Sequence, residues 1–338
     1  MITIDGSQGE GGGQILRTSL ALSLVTGQPF RTVNIRAGRK KPGLMRQHLT
    51  AVHAAATVGN AQVDGDSIGS QQLTFIPHSI NTGKFSFSTG SAGSATLVFQ
   101  TILPALISAI HQSEIILEGG THNPFAPPYD FLAQTFLPLV NQMGVNVKIN
   151  LDRYGFYPAG GGKFTASIIP SQKLNGFDLS QKGEIVSFEA RALVANLSGS
   201  IGHRECKSIG EILGWPKNNL KVVEVKNATG PGNAVVIEIA ADHITEIFTA
   251  FGERGVPAET VASRVAREAK EYLSADIPVD SHLADQLMIP FALAKSGSYV
   301  TMPLTRHSIT NIDVIRMFLD TEIKAENTDN SKVMINFS

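Results

Sequence analysis

One arrangement of hydrophobic segments occurs three times in this 338-residue chain, and it limits the fold to very few architectures. In the first unit, apolar periodicity predicts a helix over 15–26, stopped by Gly27 and Pro29, and then a strand over 32–35. A helix over 44–58, stopped by Gly59, and strands over 61–64 and 72–76 complete it. The second unit repeats the order, with a helix over 95–110, a strand over 114–117, a helix over 129–143 and strands over 145–150 and 163–169. The third has helices over 283–295 and 309–319 flanking a strand over 299–302, with strands over 322–326 and 332–336. Each unit therefore reads helix–strand–helix–strand–strand, an α/β (α+β) two-layer module in which a sheet backs two helices. Between the second and third units, segment 175–276 carries its own strand signals (185–197, 220–226, 234–240, 244–251) and two helical stretches (204–213, 258–273). The expected organisation is a large domain, 1–174 plus 277–338, built of three repeated βα units. A smaller α/β domain, 175–276, is inserted before the third repeat.

Composition narrows the function classes. Apolar residues make up 42% and charged residues 17%, as in ordinary globular chains, and no apolar run reaches bilayer-spanning length. No partnership with a membrane is expected. The N-terminus lacks the basic, apolar and small-residue succession of a secretory signal, so the expected location is the cytoplasm. A single cysteine, Cys206, excludes an intramolecular disulfide framework and a cysteine-built zinc site. The net charge of −1 is not that of a polybasic nucleic-acid binder, but the charge is unevenly spread. Between Glu10 and Asp64 lie 53 residues without a carboxylate, while Arg17, Arg31, Arg36, Arg39, Lys40, Lys41 and Arg46 contribute +7. Such a field favours an anionic partner; a solvated basic face is the plainer alternative.

The link between strand and second helix is rich in functional groups in all three units: RAGRKKPG (36–43), GGTHNPFAPP (119–128) and PLTRHS (303–308). Three equivalent loops on one scaffold are placed to converge on one site. Ahead of them, DGSQGEGGGQ (5–14) joins a short strand to the first helix. Its glycines let backbone N–H groups approach an anion, and Glu10 offers a carboxylate to a divalent ion, or is an exposed acid in a turn. The forked guanidinium groups of Arg36 and Arg39 suit phosphate oxygens, and Pro42 restricts the backbone before the helix. The run from Tyr154 to Gly162 reads as a Gly-rich turn with a structural job. Helical spacing gathers His282, Asp285 and Gln286 near one end of one face, where they meet a nucleobase or face solvent.

His307 stands between Arg306 and Ser308, with Ser308 predicted as the N-cap of the next helix. A helix N-terminus disfavours imidazolium, which keeps the ring neutral and nucleophilic, and the same terminus and Arg306 suit the phosphate under attack. Imidazole attack on a phosphoryl group gives a phosphoramidate. Eight other histidines occur in the chain, and a histidine before a helix is often structural.

Taken together, DGSQGEGGGQILR (5–17), RAGRKKPGLMRQHLTA (36–51), TGSAGSATLVFQTILPAL (89–106), GGTHNPFAPP (119–128), GFYPAGGG (155–162), LADQL (283–287) and the H-x-x-T-N run from His307 to Asn311 resemble the RNA 3′-terminal phosphate cyclase family, in its catalytic branch. The resemblance implies a large domain of three βα repeats with a small domain inserted before the last. It implies an ATP-dependent conversion of an RNA 3′-phosphate to a 2′,3′-cyclic phosphate through a histidyl–AMP on His307 and an RNA(3′)pp(5′)A end, with Mg²⁺ or Mn²⁺. Carried over by position, Glu10 is a metal ligand. Gln100, Pro127, Phe131, His282, Leu283, Ala284, Asp285 and Gln286 form the nucleotide pocket, and Gln14, Arg17, Arg36, Arg39, Gln47 and His48 contact phosphate or RNA. The chain departs from the family pattern at His282, where many members have Tyr, and at Tyr154, where His or Arg usually precedes the glycines. Two other relations are weighed: cyclase-like ribosome-assembly factors, which lack the histidine, and enolpyruvyl-transfer enzymes, which share related repeats but not the H-x-x-T-N or LADQ segments.

Overall fold

The computed structural model of the chain describes residues 1–328 and 331–338. The first repeat runs β1 (Ile2–Asp5), α1 (Gly13–Thr26), β2 (Phe30–Val33), α2 (Arg46–Val58), β3 (Gln62–Asp64) and β4 (Leu73–Ile76). The second runs β5 (Lys84–Ser88), α3 (Ala95–Ile107), β6 (Ser113–Gly119), a helix formed by α4 (Tyr129–Phe131), a π-turn (Leu132–Phe136) and α5 (Leu137–Gln142), then β7 (Asn146–Arg153) and β8 (Gly162–Ile169). After β9 (Asp178–Leu179) the chain forms β10 (Ile185–Ala195), α6 (Ser200–Leu213), β11 (Leu220–Glu224), β12 (Gly232–Ala241), β13 (Thr245–Phe251) and α7 (Ala258–Ala275). It then completes the third repeat with α8 (Ser281–Ala294), β14 (Ser298–Thr301), α9 (Arg306–Phe318), β15 (Ile323–Asn327) and β16 (Val333–Phe337).

Sheet topology confirms the threefold repeat and adds a strand to it. The three sheets are ordered β1-β2-β4-β3, β5-β6-β8-β7 and β9-β14-β16-β15. In each, the first strand pairs parallel with the second, and the remaining pairings are antiparallel. Every repeat thus opens with a strand, where periodicity predicts a helix first. β5 (KFSFS) shows the period-two alternation of a half-buried strand, but it is short and holds only two apolar residues. β9 is two residues long, below any sequence signal, and its pairing with β14 places 178–179 on the third sheet. The fourth sheet, β11-β10-β12-β13, has its own core with α6 and α7.

Helices α1, α2, α3 and α9 pack on one another, with the sheets behind them. α3 is the most enclosed: each of its residues except Gln100 is buried. A helix apolar on all sides belongs in a core, where each Leu or Ile contributes about 2 kcal/mol of transfer free energy. The one polar side chain left part-exposed on such a helix is therefore held by something other than packing. Pro104 in α3 and Pro290 in α8 both lie within the helix, four residues after Gln100 and Gln286. Proline donates no N–H, so the carbonyls of those two glutamines lose their intrahelical donors.

Candidate active site

A cleft of about 860 Å³ collects residues from all three repeats and from the edge of the fourth sheet. Arg36 and Arg39 reach it from the first strand–helix loop, Pro124 to Pro128 from the second, and Thr305 and His307 from the third. The three loops thus meet at one place, because each leaves the same edge of its own copy of the same sheet.

At the centre of the cleft a polar relay connects α1, α8 and α9. Gln14 Nε2 donates to Asp285 Oδ1 (2.5 Å), and the Gln14 Oε1 atom meets His307 Nδ1. Asn311 Nδ2 donates to the same Asp285 oxygen (2.6 Å) and to the Asp285 carbonyl (3.0 Å), while its own Oδ1 accepts from Thr18 (2.7 Å). An amide oxygen accepts only, so the His307 Nδ1 facing it carries the hydrogen, and in the neutral ring the lone pair is then on Nε2. Asp285 is buried, which pushes its carboxyl up to about 6 against the opposing effects of the Gln14 hydrogen bond, His307 and Arg17. The N-cap of α9 is Thr305, whose Oγ1 accepts from the Ser308 N–H (3.1 Å), and not Ser308 as the sequence suggests. His307 therefore lies inside the first helical turn, exposed to the cleft and nearest the positive end of the helix dipole.

The Gly-rich loop closes one side of the cleft. α1 has glycine at its N-cap and no side-chain cap there; Glu10 Oε1 instead accepts the Gln14 N–H (3.1 Å). Glu10 Oε2 pairs with Arg39 (2.5 Å), so the acid-free basic segment meets its counter-charge from outside itself. The Glu10 N–H donates to Thr310 Oγ1 (3.0 Å), and a Cβ on Gly9, whose φ is +56°, would collide with that threonine. A Cβ on Gly13 would come within 2.5 Å of His48 Nε2 and 2.7 Å of an Arg17 guanidinium nitrogen. Arg17 is held below its ordinary value by burial, with Glu10 and Asp285 opposing, but a guanidinium stays charged throughout. Burial, with Arg17 and Arg36 nearby, pushes His48 down to about 3, and its Nδ1 accepts the Met45 N–H (3.1 Å). His48 is therefore neutral with its hydrogen on Nε2, which lies beside Gly13 as the Arg17 guanidinium does. Arg36, at φ +52°, donates to the carbonyls of Lys41 (2.8 Å) and Gly43 (2.7 Å) and so braces its own loop. Pro42 sits within that loop, four residues ahead of α2. Gln47 lines the cleft while its Oε1 accepts from the Ser94 N–H (3.2 Å), joining the first repeat to the N-cap of α3.

A second part of the cleft is lined by Gln100 and Gln286. Gln100 Nε2 donates to Gln286 Oε1 (2.7 Å), and Gln100 Oε1 is buried without a hydrogen-bond partner among the described residues. Pro127, Phe131 and His282 line the same region. Leu283 and Ala284 do not: both are buried in the core on the far side of α8, since one helical face shows only every third or fourth residue to the cleft. Thr310 and Asn311 hold the Gly-rich loop and Asp285, roles not assigned from the H-x-x-T-N run, although their spacing from His307 (i+3 and i+4) is the available signal.

The Gly-rich turn before β8 serves packing, as its sequence suggests. A Cβ on Gly155 would lie 2.4 Å from the Gly119 carbonyl, and Gly161, at φ +69°, packs on Thr229 of the fourth-sheet region.

The fold and cleft define a class of three-repeat α/β proteins whose equivalent strand–helix loops surround one polar cleft. The model of the family described as RNA 3′-terminal phosphate cyclase matches residues 8–325. The chain is 51% identical over 330 residues to the RNA 3′-terminal phosphate cyclase of Koribacter versatilis, covering 98% of this chain and 93% of that protein. It is 48% identical to the one of Ectopseudomonas mendocina (95% and 94% covered) and 46% identical to that of Salmonella typhimurium (97% and 96% covered). The chain belongs to the RNA 3′-terminal phosphate cyclase family. Among the described residues, no helix is long and apolar enough to cross a membrane.

Proposed function

We propose that this chain is an ATP-dependent RNA 3′-terminal phosphate cyclase in which His307 Nε2 is the nucleophile. The observation that carries the residue assignment is the Asp285–Gln14–His307 relay on a histidine that lines the cleft, which puts the hydrogen of a neutral ring on Nδ1 and its lone pair on Nε2. In the first step the Nε2 lone pair attacks the α-phosphorus of ATP, the bond to the bridging oxygen breaks, and pyrophosphate leaves. The N–P bond formed is a phosphoramidate, and Gln14 Oε1 steadies the positive charge that builds on the ring. An oxygen of the RNA 3′-phosphate then attacks the same phosphorus, returning the electron pair to Nε2 and giving an RNA(3′)pp(5′)A end. Finally the vicinal 2′-oxygen attacks the 3′-phosphorus, its proton passes to solvent, and AMP departs from a 2′,3′-cyclic phosphate. Each displacement is in line, so catalysis consists chiefly of positioning and charge stabilisation.

Arg17, Arg39 and the Nε2–H of His48 are the donors assigned to phosphate oxygens, with Arg36 shaping the loop that presents them. The adenine is assigned to the Gln100–Gln286 end, where the partnerless Gln100 Oε1 suits the exocyclic amine and Pro127 and Phe131 supply apolar walls. Among the described residues no group of three or more His, Cys, Asp or Glu side chains is placed to hold a metal ion by itself. Magnesium or manganese ions that draw most ligands from phosphate and water need one or two carboxylates, and Glu10 fits that need. Such an ion, when bound, neutralises charge on the triphosphate.

Incubation with α-labelled ATP and a divalent metal tests the assignment. Label on the protein is expected to be acid-labile and alkali-stable, and His307→Ala is expected to carry none. Wild-type protein that stays unlabelled across metals and pH values would sink the catalytic reading.

A further inference from the structure

Phe125 is the most exposed large apolar side chain in the molecule, at 103% of its reference exposure, and its backbone stands at φ +61°. A bulky residue in the left-handed region is strained, and an exposed aromatic ring gains nothing from burial there, so neither backbone nor core accounts for it. The loop that carries it is nonetheless firmly tied. Asn123 Nδ2 donates to the Ala92 carbonyl, Thr96 Oγ1 to the Pro127 carbonyl (2.7 Å), and the Tyr129 N–H to the Thr121 carbonyl (2.9 Å). Buried His122 lies between Thr121 Oγ1 (2.9 Å) and Asp130 (2.7 Å), and Asp130 also pairs with Arg191 of β10. A rigid loop thus presents a bare ring at the lip of the cleft that holds His307.

We infer that Phe125 is a stacking platform for the terminal nucleobase of the RNA whose 3′-phosphate enters the cleft. This rests on the cyclase reading above and adds to it a residue that selects the end of the polymer. A base in the enclosed Gln100–Gln286 region meets half-buried walls, whereas a ring with open faces suits a base arriving from solvent. The basic segment 11–63 attracts phosphates wherever they lie along a polymer, so selection of an end needs a further local contact. Stacking on an aromatic face accepts all four bases, which fits recognition of an end and not of a sequence.

The test uses RNA oligonucleotides with a 3′-phosphate and 2-aminopurine as the last base. Binding to wild-type protein quenches the fluorophore; Phe125→Ala and Phe125→Leu abolish the quenching and raise Kd on the order of tenfold, while Phe125→Trp retains both. An abasic terminal nucleotide weakens binding to wild type by a similar factor and scarcely affects Phe125→Ala. Equal losses from the abasic end in both proteins, or undiminished quenching in Phe125→Ala, overturn the inference. So does a variant whose defect is a raised ATP requirement for labelling, which would place the ring over the adenine of ATP. Wild-type protein without label on His307 defeats the underlying cyclase reading instead, so the two failures are distinct.

Discussion

Asp285 shows how much depends on single atoms in this cleft. Its carboxylate accepts from Gln14 and Asn311, and Gln14 in turn fixes the ring of His307. Because burial raises the carboxyl to about 6, protonation on the acid side of that value puts a hydrogen on an oxygen that must accept. Formation of the histidyl–AMP is therefore expected to fall as pH drops through about 6. Asp285→Asn, which removes the charge and sets an NH2 donor against either Gln286 Nε2 or the Gln14 and Asn311 amides, is expected to slow it by about 10- to 100-fold at pH 7.5. Single-turnover labelling across pH 5 to 8 measures both effects, and an Asn variant that labels at the wild-type rate would break the relay. Gln14 and Asp285 are 271 residues apart in sequence, and nothing in the periodicity of either helix announces their contact.

At the scale of elements, the start of α1 is where geometry and function bear on the same residue. Alanine is a better helix former than glycine, so Gly13→Ala is expected to change stability by less than about 1 kcal/mol. Its methyl group, however, occupies the space of His48 Nε2, on a buried ring held by the Met45 N–H, and of a nitrogen at the end of the long Arg17 side chain. Those donors must swing aside, so KM for ATP or for the RNA end is expected to rise on the order of 10- to 100-fold. Thermal melts beside steady-state kinetics separate the two, and a variant with a collapsed Tm and normal KM would show that the glycine serves packing alone. The helices were legible because each has an apolar stripe and a definite stop. The leading strands β5 and β9 were not, since strands of five and two residues gain their meaning from the neighbours they pair with. The cap at Thr305 was missed for a related reason: Thr305 and Ser308 are both competent cap residues, and which one closes the turn depends on backbone torsions.

Across the whole molecule, the fourth-sheet region is bound to the repeats through buried polar groups. Arg191 reaches Asp130, and β13 supplies Glu246, whose Oε1 accepts the Asp280 N–H (2.8 Å) at the start of α8. Within that region Glu205 is fully buried beside Asn233, and burial pushes its carboxyl up to about 7. The folded state thus binds a proton more tightly than the unfolded chain does. The associated stability is complete below about pH 4.5 and is lost as pH rises through about 7. Glu205→Gln keeps an acceptor for Asn233 without the ionisation, so it is expected to be more stable than wild type at pH 8 by about 3 kcal/mol, with no gain below pH 4.5. Denaturant titrations at the two pH values check this, and a pH-independent difference would show that Glu205 is not the titrating group.

The chain by itself determined its threefold repeat, its interrupting segment and the three polar loops that meet at the cleft. These are properties of local pattern, in which apolar period and turn residues are written side by side. The tertiary structure decided which residues meet. It turned Leu283 and Ala284 into the core while their neighbours Asp285 and Gln286 face the cleft. It paired Glu10 with Arg39, and it set Phe125 bare at the lip on a loop locked from behind. The physical reason is that a hydrogen bond or an ion pair between distant segments leaves no period in the sequence. It exists only once the sheets have brought their loops to the same edge.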